Sequence, residues 1–219
     1  MTGENIMNSI SIKERLSKRA IFNHTVTLAM IFLTARGSIQ NGWFTLPNLV
    51  SWLGLIGTVG LAHAKNWNFG FNMVQNLFAT LQAGKSKLYG DMIMSIFYLG
   101  SQFFGISNWK KNTIDGKLKI EDRSNWTLIA LAIIVGGFLL GGVSWLLGGA
   151  YIILDALNNA TAIVAQVLQM RRQRASWILW AVTNVIGIYI WLGVGVPQMA
   201  IMYLVFSLNS VRGWINWSK

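Results

Sequence analysis

The sequence predicts an all-α polytopic membrane protein with almost no soluble portion, on three observations. Apolar types make up 53% of the 219 residues and charged types only 11%, with a mean hydropathy of +0.47. A soluble surface needs about a quarter charged residues, so most of this chain's outer face must meet lipid. Apolar runs of near-spanning length recur along the chain. The basic residues sit in short runs between them.

Taken in order, apolar helices are predicted over 20–38, 47–64, 67–84, 88–109, 126–144, 147–169, 176–193 and 197–217, each near the ~20 residues a bilayer requires. Asn23 and His24 interrupt the first, which is expected to be retained as a span and not cleaved as a leader. The gaps between runs are short: Lys85-Ser86-Lys87, Lys110 to Arg123, Arg171 to Arg174, and Gly193 to Pro197.

Charge sets an expected orientation. If the first run spans, one side carries 14 basic residues: Lys13, Arg15, Lys18, Arg19, Lys65, Lys110, Lys111, Lys117, Lys119, Arg123, Arg171, Arg172, Arg174 and Lys219. The other side holds three, Arg36, Lys85 and Lys87, with Arg212 inside the last helix. If the first run does not span, the bias weakens to 10 against 7. The positive-inside rule therefore favours eight spans with both termini cytoplasmic. The net charge of +11 follows the loops, a pattern of contact with anionic lipid. A basic face interleaved with stacking aromatics is missing, so no nucleic-acid partner is expected.

A shift of 108 residues exposes internal similarity. Residues 88–111 and 196–219 share six of 24 positions: Ile93/Ile201, Met94/Met202, Gly105/Gly213, Asn108/Asn216, Trp109/Trp217 and Lys111/Lys219. The same shift sets Phe69, Asn72 and Asn76 against Trp177, Trp180 and Asn184. Three helices per repeat joined by a linker helix make a 3+1+3 plan whose triplets run parallel. Parallel repeats of this kind belong to transporters, with the site between the repeats near the midplane.

Candidate binding residues are the polar and aromatic side chains at membrane depth. Trp177, Trp180 and Asn184 fall at i, i+3 and i+7, on one helical face. Two indoles and a carboxamide suit a flat heterocycle, above all a cationic one. Phe69, Asn72 and Asn76 repeat that spacing, and Gln75 adds hydrogen-bonding capacity. Tyr98 and Gln102 share a face, as do Asn159 and Gln166, with Asp155 and Asn158 close by. Such neutral donors and acceptors match ribose hydroxyls and a carboxamide. Interhelical hydrogen bonding is the competing use of the same residues.

The absences also inform. Cysteine is missing, which excludes disulfides and thiol chemistry. His24 and His63 lie far apart with no metal-ligand companions. Gly84-Lys85-Ser86 ends like a phosphate-binding loop, but Ala79 stands where that motif needs glycine. Neither a cofactor, a metal nor an enzymatic activity is therefore expected. With no relay of Asp, Glu or His, facilitated diffusion is the simplest mechanism.

These features resemble the PnuC-type vitamin transporters, the nicotinamide riboside family. The resemblance rests on Trp177-x-x-Trp180-x-x-x-Asn184, on Leu88-Tyr89-Gly90-Asp91 opening a helix that ends Gly105-Ile106-Ser107-Asn108-Trp109, and on Asp155-Ala156 leading into Ala165-Gln166. It covers about 46–219. It implies a SWEET-like fold of two triple-helix bundles: 1–45 an N-terminal cytoplasmic segment and extra helix, 46–111 the first repeat, 112–146 loop and linker helix, 147–219 the second repeat. It further implies uptake of nicotinamide riboside trapped by cytoplasmic phosphorylation, a homo-oligomer (a trimer), and the bacterial inner membrane. Thiamine, riboflavin or a sugar remain alternative cargoes, and a membrane interaction protein without a solute path remains the alternative of another class.

Overall fold

A computed structural model of the protein describes residues 3–86, 88–146 and 152–218. It consists of α1 (Gly3–Asn41), α2 (Leu46–Ala62), α3 (Asn68–Lys85), α4 (Tyr89–Lys111), a two-stranded hairpin β1 (Thr113–Ile114) and β2 (Lys117–Leu118), then α5 (Trp126–Leu146), α6 (Ile152–Met170), α7 (Ser176–Gly193) and α8 (Pro197–Asn216). The chain is thus all-helical apart from one hairpin. Prolines open α2 and α8, where a missing N–H costs nothing.

Two elements differ from the sequence expectation. The first helix begins at Gly3, far ahead of the apolar run at 20. Its polar first half is built from good helix formers and carries a Glu14–Lys18 pair at i, i+4 (2.7 Å). The segment from Lys110 to Arg123 contains the hairpin, turned at Asp115 (φ 49°) and Gly116 (φ 71°). Two consecutive positive φ values are what a tight Asp-Gly hairpin turn demands. The start of the run predicted at 147–169 lies outside the described residues, as does the side chain of Asp155.

Six helices close a ring. In order around it, α2 packs on α3, α3 on α4, α4 on α6, α6 on α7, α7 on α8, and α8 back on α2. Outside the ring, α1 lies against α8 and α2, and α5 against α6. The outward faces are apolar: Ile93, Phe103 and Phe104 on α4, Val135, Phe138 and Leu139 on α5, and Val185 and Tyr189 on α7 are all exposed. Water would not tolerate so continuous an apolar surface, and lipid does. Ser176–Gly193 meets the length and hydropathy of a membrane span outright, while Leu46–Ala62 and Trp126–Gly142 are shorter apolar stretches. The remaining ring helices are long enough at 18–23 residues. Their hydropathy is lowered by amides that turn inward, as polar groups at membrane depth should.

Several helix bounds and turns line up under the 108-residue shift. Helices α3 and α7 have matching bounds, 68 to 176 and 85 to 193, and α2 and α6 end in register at 62 and 170. The turn after α2 carries Ala64 at φ 54°, and the turn after α6 carries Arg172 at φ 63°. In both turns the N–H following that residue reaches back five residues, Lys65 to Gly60 (2.9 Å) and Gln173 to Leu168 (2.8 Å). Positive φ at a non-glycine residue is uncommon, so its occurrence at both of these positions is notable.

Candidate functional site: a polar cavity inside the helical ring

The interior of the ring is a cavity of about 150 Å³, lined from all six ring helices. Aromatic packing closes its floor. Phe69 meets Trp109 edge-on (5.0 Å between ring centres), Trp109 meets Trp217 (5.7 Å), and Trp217 meets Trp177 (5.3 Å). Glycine permits this twice. A Cβ on Gly105 would collide with Phe69, and one on Gly213 with Trp177.

Ten of the eleven residues picked out in the sequence line this cavity: Asn72, Gln75, Asn76, Tyr98, Gln102, Asn159, Gln166, Trp177, Trp180 and Asn184. Phe69 does not. It is 2% exposed and spent in the aromatic floor, because Gly105 and Trp109 of α4 make a slot for its ring. Its partner under the shift, Trp177, sits in the equivalent slot yet reaches the cavity. The structure also brings in residues that periodicity within single helices could not reveal, among them Gln169, Tyr203, Asn209 and Ser210.

Hydrogen bonds hold the wall in place. Gln166 donates to Ser101 (2.6 Å) across α6 and α4, and Asn184 to Ser210 (3.3 Å) across α7 and α8. Asn76 donates to the Asn72 carbonyl (2.8 Å), and Asn209 to the Thr58 carbonyl (2.8 Å). The Trp180 indole donates to the Gln169 side chain and stands edge-on to Tyr98 at 5.7 Å. Among the described residues of the wall, five buried polar atoms nonetheless have no hydrogen-bond partner in the protein: Gln102 Oε1, Asn158 Oδ1, Gln169 Nε2, Trp177 Nε1 and Trp191 Nε1. Two acceptors and three donors left unmet within one wall are costly, and a polar interior of this kind suits a polar solute.

The charge inventory of the wall is equally specific. Asp91 lines the end of the cavity away from the aromatic floor, and no Lys, Arg or His is among the described lining residues. Aromatic faces, amides and one carboxylate favour a flat cation and disfavour a phosphate dianion.

A ring of helices with an apolar outside and a polar, partly unsatisfied inside defines a membrane protein with a central polar cavity. The chain belongs to the nicotinamide mononucleotide transporter family, whose sequence pattern matches residues 45–219. It is 30% identical over 226 residues to the nicotinamide riboside transporter PnuC of Neisseria mucosa, spanning 92% of this chain and 85% of that one. It is 28% identical to the PnuC of Haemophilus influenzae, over 82% of this chain and 80% of that one. A solved structure, the crystal structure of the vitamin B3 transporter PnuC, superposes with a TM-score of 0.79 at 27% identity and covers 90% of each chain. The helix α1 lies ahead of the family match.

Proposed function

We propose that this chain carries nicotinamide riboside across the bacterial cytoplasmic membrane by facilitated diffusion. The observation that supports this best is the gathering of amides with Trp180 and Tyr98 around a cavity whose described lining holds no basic residue. Nicotinamide riboside offers a cationic pyridinium for the indoles, a carboxamide for the amides and ribose hydroxyls for the rest. The relatives named as nicotinamide riboside transporters support the same cargo. Ten wall residues named above are the proposed contacts, and Phe69 is proposed to shape the floor beneath them.

The absence of cationic side chains among the described lining residues also bears on direction. Phosphorylating the riboside adds up to two negative charges, for which this wall has no partner. A riboside phosphorylated inside the cell could not return, so net uptake needs no ion gradient. The architecture proposed for this cycle is SWEET-like: parallel triplets at 46–111 and 147–219 joined through 112–146, with 1–45 as an added helix. The matched helix bounds and turns support it. Both termini are placed inside, in a homo-oligomer.

Calorimetry on the purified protein tests the cargo. Nicotinamide riboside should bind with 1:1 stoichiometry, and nicotinamide mononucleotide at least tenfold more weakly. Binding of thiamine or riboflavin in its place would overturn the reading.

A further inference from the structure

A second cavity, of about 330 Å³, opens at the end of the ring that carries the basic loops. Its wall is assembled from four separate pieces of chain: α1, the turn after α2, the hairpin and the end of α8. Arg19, His63, Lys65 and Lys117 all line it, together with the carboxamides of Asn23 and Asn216. Among the described residues, no carboxylate side chain does. The described acidic side chains are committed elsewhere: Glu14 to Lys18, Glu121 to Arg172, Asp122 to Arg174, and Asp91 to the central cavity. Asp115 sits at the hairpin tip, beside the lining but not part of it.

The polar groups are organised around one another, which a random surface cluster would not show. Asn23 and Asn216 exchange amide hydrogen bonds (3.2 and 3.0 Å). Arg19 donates to Asn216 Oδ1 (3.1 Å) and to the Ile215 carbonyl, which fixes its guanidinium on the C-terminal turn of α8. The buried Arg212 adds to the local positive potential, bonded to Asn209 and Thr27, two neutral partners. Partial burial and the nearby Arg212, Lys65 and Arg19 charges hold the His63 imidazole below its ordinary value. Cations held together without counter-charge raise the energy of the unliganded site, and an anion relieves it.

We infer that this cavity is a binding site for a phosphate-bearing ligand at the basic end of the transporter. Lys65 and Lys117 supply point charges, Arg19 supplies its remaining guanidinium donors, and the two carboxamides complete the set. Trp217 forms part of the wall and packs edge-on against Trp177, which lines the central cavity. A single aromatic layer therefore separates the two sites. The phosphate could come from a soluble monoester or from an anionic lipid headgroup. The inference does not depend on the identity of the transported solute.

The test uses the full chain in phosphatidylcholine nanodiscs, titrated calorimetrically with ribose 5-phosphate and, as control, ribose. The comparison protein carries Lys65→Gln and Lys117→Gln, both on exposed side chains, with Arg19 left intact to cap α8. Unchanged central-site binding and an unchanged melting temperature establish that this variant is folded. A soluble ligand predicts saturable binding of ribose 5-phosphate, none of ribose, and about tenfold weaker binding in the variant, for two solvent-exposed ion contacts. A lipid ligand predicts that adding phosphatidylglycerol to the discs raises the melting temperature of the parent and not of the variant. If neither ribose 5-phosphate nor phosphatidylglycerol separates the parent from the variant, the inference is wrong.

Discussion

Asn184→Ala separates a binding role from a structural one, because its structural cost can be bounded. The side chain is 3% exposed, and its recorded hydrogen bond is the 3.3 Å donation to Ser210. Ser210 donates in turn to the Phe206 carbonyl at 2.9 Å, so it keeps a partner when the carboxamide is removed. The space vacated joins a cavity that already exists, so no new sealed void forms. A long neutral hydrogen bond contributes about 0.5–1 kcal/mol net. For a chain of this size that corresponds to a drop of about 1–4 °C in melting temperature. Losing one or two hydrogen bonds to a charged ligand costs about 1.5–3 kcal/mol, roughly 10- to 150-fold in affinity. Calorimetry with nicotinamide riboside and a thermal melt on the same preparation give both quantities. An affinity within twofold of the parent, or a melting temperature lower by more than 10 °C, would refute the binding role and return Asn184 to interhelical packing.

Other perturbations read other parts of the account. Gly213→Ala drives a methyl into the Trp177 ring, which Trp217 prevents from retreating, so the indole must move toward the solute site. The expected loss is about 1–3 kcal/mol of stability together with weakened binding, whereas Gly100→Ala, which meets nothing, should be neutral in both. His63 has a folded-state pKa below its ordinary 6.5, so the unfolded chain binds more protons in that window. Stability should therefore decline as pH falls below about 6.5, and His63→Gln should flatten that part of a melting-temperature profile. Trp180→Phe keeps the ring against Tyr98 but cannot donate to Gln169. It should bind the riboside more weakly while melting within about 4 °C of the parent, for one lost hydrogen bond.

Much of the fold was legible because lipid makes hydropathy a direct record of span positions. The run read at 176–193 coincides with α7, and most other ring helices end within two residues of their apolar runs. The polar half of α1 was invisible to that criterion, since Ile6, Met7, Ile10, Ile12 and Leu16 are scattered among polar residues and form no continuous apolar run. The hairpin was overlooked although Asp115-Gly116 between Thr113-Ile114 and Lys117-Leu118 is a direct turn signal. Within the site, amides in apolar helices were conspicuous, and nearly all of those chosen face the cavity. Phe69 was misplaced because its fate depends on Gly105 and Trp109 of another helix. Gln169 was missed for the same reason, being defined by a bond from Trp180 eleven residues on. Spacing within one helix tells which residues share a face. Only packing tells what that face meets.

The central claim is that a cavity whose described lining holds no basic side chain and includes the carboxylate of Asp91 moves a cationic riboside down its own gradient. Reconstituted proteoliposomes test it most directly, by following uptake of labelled nicotinamide riboside with and without an imposed proton gradient. The account predicts saturable uptake that stops at equal concentrations, at a rate and end point indifferent to the proton gradient. Accumulation above equilibrium driven by protons, or no uptake under either condition, would contradict it.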